Sequence, residues 1–595
     1  MESSSLVPVE AVTRRPRPRW HRHAIGMAVL AGFVGASLEL SRTLIAHPGA
    51  RQYGGQDPMI FLWWLRWVPY AISHGLSPLH SDWLNYPYGV NGLWNTSMLL
   101  LGLVCTPLTL TIGPLATFNV LLTLAPALSG WACYLVARRL FAHTLPAVIA
   151  GLLYGFSPYM VGQTAGHLQL TWALFPPVFL LLCVELLRDQ RPRPWLLGLA
   201  MGTAVSLQLW TGEELLASAA IVAAMTTLIL VAIYPDEALR RFRYAAVALA
   251  CGAGSALVLT GPALAEQFLG RNAIKGPVQH NLPGADLLAP FVPTHLQALH
   301  FASASLINRV DGTNLSEQTS YLGLPLIALL IGAAFALRRT RHLWYAVPLL
   351  ISFVLMLGPH LVLAGHDTHL PLPWIVLRRL PVVSSIIPVR LCLYVFLFGG
   401  LLLGAWLDTR ITQARADGRR LRSGLPAWTP SAALIGLALL PVVPIAPLRA
   451  LPISRPAFFG SAADLARLPA GSVVLVTPYA SPSTAQAMWW QADAAMRFKM
   501  PGGYFLAPNE LGDAAFGRAS GPTAAIIRDI ARGLRPPTPD APRLAEARAE
   551  LASRPYDAII VGPMHYQLSA ARFVKDLTGV HGDLLDGVWL FRLPK

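Results

Sequence analysis

The sequence predicts an α-helical polytopic membrane protein with about eleven transmembrane helices and a C-terminal extracytoplasmic α/β domain. Composition comes first: of 595 residues, 54% are hydrophobic and 13% charged, about half the roughly 25% charge of an average soluble domain. Second, apolar stretches recur that can cross a bilayer core about 30 Å thick, which takes roughly 17–25 residues per helix. Third, arginines gather in alternate loops, as the positive-inside rule requires. Disorder, a coiled coil and an ordinary cytosolic enzyme are excluded. The net charge of +16 is no nucleic-acid signal, because membrane proteins hold positive charge in cytoplasmic loops, and no nucleic-acid partner is expected. The five cysteines, Cys105, Cys133, Cys183, Cys251 and Cys392, all lie in apolar stretches and read as small buried hydrophobes.

Residues 1–23 form a basic cytoplasmic N-terminus. The transmembrane part, residues 24–450, begins with Ala24–Ala46, too long for a signal peptide and read as an uncleaved span. The next spans are Leu115–Ala137, Leu145–Gln163, Leu168–Leu187, Trp195–Thr211, Leu215–Tyr234 and Tyr244–Ala265. The last four are Tyr321–Leu337, Leu343–Leu363, Leu391–Leu407 and the proline-rich Ala427–Leu448. With the N-terminus inside, the inner segments carry 21 basic residues and the longer outer loops 7. The apolar run Asn95–Ile112 is read as re-entrant or surface-lying, because a crossing there would put Arg138, Arg139 and every later basic loop outside.

Two features lie outside the membrane. The first outer loop, 47–113, contains a predicted interfacial helix from Pro58 to Ser73, whose Trp63, Trp64, Trp67 and Tyr70 suit the headgroup zone. The tail, 451–595, mixes strand-like runs (SVVLVTPY, DAIIVG, GVWLFRL) with helix-like ones (STAQAMWWQADAAMRF, TAAIIRDIARGL, RLAEARAELA), the pattern of a small α/β domain. Trp489, Trp490 and Tyr504 in this tail are candidates to stack on sugars or to fill its core.

Charged groups in a bilayer are costly, so their clustering is informative. Here they gather at the outer edge: Glu39 and Arg42 in the first span, Asp57 beyond it, His167 in the turn QTAGHLQL, Glu213 and Glu214 in WTGEELL, and Arg390 at the mouth of a span. Asp82, His280, Arg378 and Arg379 lie in outer loops. Each has a structural alternative. Glu39 and Arg42 are one helical turn apart and able to neutralise each other. Glu213 and Glu214 suit a helix N-terminus; Asp57 before Pro58 suits a cap. His167 suits an interfacial histidine and His280 a lone loop residue. Asp82 suits a turn, and the three arginines suit lipid phosphates. No zinc motif, P-loop, GxSxG elbow or CxxC pair is present.

The first 230 residues resemble the GT-C superfamily of membrane glycosyltransferases, which use polyprenyl-phosphate-linked sugars. The shared pattern is a first span, a long outer loop with an acid just before a helix (GGQDPMIF, Asp57), a second surface helix (NTSMLLLGLVCTPLTLTIGP), a span ending in a basic pair (NVLLTLAPALSGWACYLVARRLF), and a next span opening LPAVIAGLLYGFSPY. The segment LPLPWIVLRRLPVVSSIIPVRL is similar to bacterial multispanning glycosyltransferase-like proteins. The resemblance implies a bacterial plasma-membrane enzyme that moves a sugar from the lipid-linked donor to an envelope glycan, lipid or protein outside. Asp57 is the implied general base, with inversion, and Arg390, then Arg378 and Arg379, the implied donor-phosphate ligands. His167, Glu213, Glu214, Asp82 and His280 are implied substrate ligands. Family members often carry paired acids where Asp57 stands alone, so the need for a divalent ion such as Mg or Mn is left open. The competing readings are a transporter or flippase, a lipid-linked polymer ligase or polymerase, and a non-enzymatic scaffold.

Overall fold

The computed structural model describes residues 19–276, 284–380, 383–538, 541–554 and 556–594. Among the described residues, six helices are long and apolar enough to cross a membrane: His23–Leu40, Pro114–Leu140, Leu168–Asp189, Glu213–Ile233, Pro235–Leu269 and Pro388–Ala416. The pair Thr144–Gly155 and Pro158–Thr164, bent by 40°, makes a seventh if taken as one span. The bend follows from local chemistry: Ser157 caps the second helix by accepting from the Met160 N–H, and Pro158 has no N–H to continue the first. The other expected spans fall on shorter or more polar helices, Pro194–Thr211, Leu324–Ala336, Arg341–Met356 and Thr429–Val442.

Expectation and structure part at Leu343–Leu363. The helix ends at Met356, and Gly358 (φ +83°) and Pro359 turn the chain into a hairpin of His360–Leu363 against His366–Pro371. A second correction concerns the first outer loop. The helix Asp57–Ser73 does not lie with its tryptophans at a membrane surface. Trp63, Trp64 and Trp67 are buried to 1% exposure or less, because the tail covers them. The Asn95–Ile112 run forms short helices, Leu99–Val104 and Thr106–Ile112, broken at Cys105.

Helix contacts in the membrane part rest on small residues, which let backbones approach closely where lipid supplies no hydrophobic contrast. A Cβ on Gly151 would lie 2.6 Å from the Gly130 carbonyl oxygen, and one on Gly155 2.6 Å from that of Pro126.

In the tail, a five-stranded sheet runs in the order Asp583–Leu585, Val588–Arg592, Ala558–Val561, Ser472–Thr477, Phe498–Lys499. Ser472–Thr477 pairs in parallel with Ala558–Val561 and with Phe498–Lys499, and the other pairings are antiparallel. Side chains alternate across the sheet, as period two requires. Val473, Leu475, Ile559 and Val561 pack against helices Pro522–Ala531, Pro542–Ser553 and Gln567–Thr578. Val474, Val476, Ala558 and Ile560 face the other way, into one core with Trp63, Trp67 and Phe118. The Trp63 indole N–H donates to Gln491, and the Trp83 indole N–H to the Met496 carbonyl at 2.8 Å. The first outer loop and the tail therefore share a continuous hydrophobic interior.

Candidate active site

Two glycine-containing turns bring the first outer loop to the membrane helices. Gly54 has φ +71°, and a Cβ there would lie 1.9 Å from the Ala165 carbonyl oxygen, so only glycine fits. This contact joins the YGGQD stretch to the TAGH turn and sets Asp57 beside His167. Asp57 opens its helix with Pro58 next, yet no side chain caps that helix end. Its carboxylate goes instead to His167, Oδ2 to Nε2, at 3.1 Å.

His167 is held from behind. Its Nδ1 is 2.7 Å from Gln163 Oε1, and the Gln163 amide donates through Nε2 to the Ser316 carbonyl at 2.7 Å. With the amide so oriented, Nδ1 donates toward Gln163 and Nε2 faces the Asp57 carboxylate. Burial raises the proton affinity of Asp57. The hydrogen bond and charge of His167 outweigh that, aided by Tyr504 and Arg390, and the carboxyl stays below its ordinary range. His167 is 10% exposed at its side chain and Asp57 36%, so the carboxylate is the accessible partner.

Asp57 and His167 line a cavity of about 680 Å³. Its lining mixes the apolar side chains of Leu209, Ile386, Ile387 and Val389 with the carboxylates of Glu213, Glu214, Asp311 and Glu317, and includes Tyr504 and Phe516 of the tail. Glu214 and Glu317 grip Arg390: its Nη1 donates to Glu214 at 2.7 Å, and its Nε to Glu317 at 3.1 Å. Glu213 accepts from the Gln267 amide at 2.9 Å. Asp311 has a buried, unpartnered oxygen, and burial with the neighbouring charge of Asp286 pushes its carboxyl up to about 8.

The structure thus brings Asp57, His167, Glu213, Glu214 and Arg390 to one cavity. It also redirects several expectations. Arg390 lines the cavity already paired with two carboxylates, Glu214 and Glu317. Arg378 and Arg379 lie outside the cavity on a partly exposed turn. Asp82 pairs with Lys499 at 2.7 Å, tying the first loop to the tail, and does not line the cavity. Glu39 and Arg42 form an exposed pair at 3.6 Å. His280 lies outside the described residues. Trp489 and Trp490 are core, whereas Tyr504 reaches the site. Two residues were missed: Glu317, whose only signal is an acid just ahead of the apolar run at Tyr321, and Gln163, a polar residue ending a span.

A divalent ion has no ready cage at Asp57. Among the described residues, the one group of three histidine, cysteine or carboxylate ligand atoms lying together is elsewhere, on the 360–371 hairpin.

A family model described as "Domain of unknown function (DUF6311)" matches residues 56–442. No curated protein matches the sequence. Among solved structures, the fold is similar to that of the arabinofuranosyltransferase AftD from Mycobacteria, with TM-score 0.54 and 14% identity. The match covers 96% of this chain and 40% of AftD, so this chain spans about two fifths of that protein's length. The apo oligosaccharyltransferase of Archaeoglobus fulgidus matches with TM-score 0.45 and 12% identity over 91% of this chain and 70% of its own. ArnT from Cupriavidus metallidurans, bound to undecaprenyl phosphate, matches with TM-score 0.41 and 13% identity, over 81% and 86%. The likeness to AftD shows a shared fold.

Proposed function

The chain belongs to the DUF6311 family, and from that premise we propose that it is a membrane glycosyltransferase using a polyprenyl-phosphate-linked sugar. The acceptor is an envelope glycan, lipid or protein on the outer face of a bacterial plasma membrane. The observation that carries the reading is the accessible Asp57 carboxylate on a cavity lined by both carboxylates and apolar side chains. Such a cavity suits a sugar joined to a lipid. A polyprenyl tail resists leaving the bilayer by about 0.8 kcal/mol per buried CH₂, so the enzyme meets its donor there.

In the proposed reaction, Asp57 takes the proton of the acceptor hydroxyl, and the oxygen attacks the anomeric carbon with inversion. The bond to the phosphate oxygen breaks, and polyprenyl phosphate leaves with the electron pair. His167 holds the carboxylate in place through the Gln163–Ser316 relay. Glu213, Asn314 and Tyr504 are placed for sugar hydroxyls. A positioned base contributes roughly 10²–10⁴-fold.

The test is Asp57→Asn in lipid nanodiscs supplied with polyprenyl-phosphate-linked radiolabelled pentoses and hexoses and an envelope extract as acceptor. Transfer by the wild-type chain and its loss in the variant support the reading. Near-wild-type transfer by a normally folded variant removes Asp57 from the base role.

A further inference from the structure

The hairpin that replaces the end of an expected span carries a second chemistry. Its two strands, His360–Leu363 and His366–Pro371, set three ligand-bearing side chains on one patch. His360 Nδ1 lies 3.3 Å from Asp367 Oδ2, and His369 Nδ1 lies 3.5 Å from Asp367 Oδ1. One ligand atom from each residue falls within 4.8 Å of the other two. The two imidazole rings lie nearly perpendicular, at 79°, with centroids 6.3 Å apart.

Zinc bonds to imidazole nitrogen and carboxylate oxygen of about 2.0–2.1 Å give tetrahedral edges of roughly 3.3–3.4 Å, and each imidazole nitrogen lies near that distance from one oxygen of the shared carboxylate. Two imidazoles and one carboxylate suit zinc and its transition-metal neighbours, whereas magnesium and calcium want oxygen ligands.

The backbone is arranged to produce this cluster. The register shifts between His360 and Val362, and His369 adopts φ +59°, a left-handed conformation uncommon for a side chain with a Cβ. The His369 N–H donates to Asp367 Oδ1 at 2.7 Å, which curls the chain and returns the second imidazole to the carboxylate. The hairpin is also anchored. Asp286 accepts from the Ala364 and Gly365 N–H groups, and the Leu287 N–H donates to the Val362 carbonyl at 2.9 Å. Gly284 and Ala285, just before Asp286, line the large cavity. A cluster on a braced hairpin keeps its geometry, unlike three histidines and acids on a loose loop.

We propose that His360, Asp367 and His369 bind one zinc-class divalent ion, with a fourth position open to water or a ligand, and that the ion staples the hairpin beside the cavity wall. The proposal stands independently of the reaction at Asp57.

The experiment uses full-length protein without a polyhistidine tag, in nanodiscs, stripped with a chelator and then titrated with Zn²⁺ alone. One tightly bound zinc per chain is expected, together with a rise in melting temperature. Co²⁺ in its place should show the absorption bands of a tetrahedral site. His360→Ala and His369→Ala should each weaken zinc binding at least tenfold and lose the thermal shift. The metal-free melting of His369→Ala should match the metal-free wild type, because His369 is exposed. His366→Ala and His167→Asn should bind as the wild type does. The proposal is overturned if the wild-type chain takes up no stoichiometric zinc, if the two alanine variants bind it undiminished, or if His167→Asn alone abolishes it.

Discussion

Two charged clusters share the cavity, and they are built for different ends. Asp57 meets His167 at the edge, with 36% of the carboxylate side chain exposed. Arg390, Glu214 and Glu317 sit deeper, at 13%, 22% and 10%. The first cluster joins two groups and leaves a carboxylate surface for a third molecule. The second joins the helix Glu213–Ile233, the turn Leu315–Glu317 and the entry to the helix starting at Cys392 through Arg390. Buried charges survive only when paired, and this pairing acts as a clamp.

The largest expected effect tests the first cluster. Asp57→Asn keeps the shape and removes the basic oxygen, so transfer should fall by roughly 10²–10⁴-fold while the melting temperature barely moves. A second substitution tests the clamp. Arg390→Met strands two buried carboxylates and should cost about 3–5 kcal/mol of stability, the usual penalty for breaking a buried pair. Thermal unfolding of the purified chain measures it. Arg390→Met with Glu214→Gln and Glu317→Gln should recover most of the loss, because no uncompensated charge remains. If Arg390→Met melts normally but loses donor binding, the clamp reading fails and the phosphate role returns.

Much of this was legible in the sequence, for reasons that separate the two clusters. The apolar runs place the long helices, and the strand-like runs at Ser472, Ala558 and Val588 fall on the sheet, because hydrophobic periodicity is local. Asp57 and His167 were visible as polar groups stranded at one edge. Their pairing was not, since it depends on Gly54 meeting Ala165 across more than a hundred residues. Arg390 was visible but its partners were not: nothing local says that Glu214 and Glu317 converge on it. The burial of Trp63, Trp64 and Trp67 was hidden for a similar reason. An amphipathic aromatic helix looks alike whether lipid or a distant sheet covers it.

A smaller effect sharpens the comparison through pH. Asp57 works as a base only when ionised, so activity should fall as pH drops through its depressed proton affinity. His167→Asn removes the largest lowering influences and leaves burial, which raises that affinity. The acid limb of kcat/KM should therefore move to higher pH. A limb that stays put would mean that His167 does not set the state of Asp57.

The smallest effect concerns Asp311, a carboxylate on the same cavity that neither cation serves. Its proton is held up to about 8, by burial first and then by Asp286, and one oxygen has no partner. The unfolded chain releases that proton near the ordinary value of 3.8. Between those limits the folded state binds more protons than the unfolded state, so rising pH erodes stability across the interval. Asp311→Asn carries no such proton. Its melting temperature relative to the wild type should change little at pH 4 and rise steadily toward pH 8, levelling off above. Thermal unfolding of both chains across that range isolates the one group, because every other titration is common to the pair. An advantage independent of pH would mean that the amide merely packs better. A disadvantage growing with pH would mean that Asp311, like Asp57, has a cation in the folded protein after all.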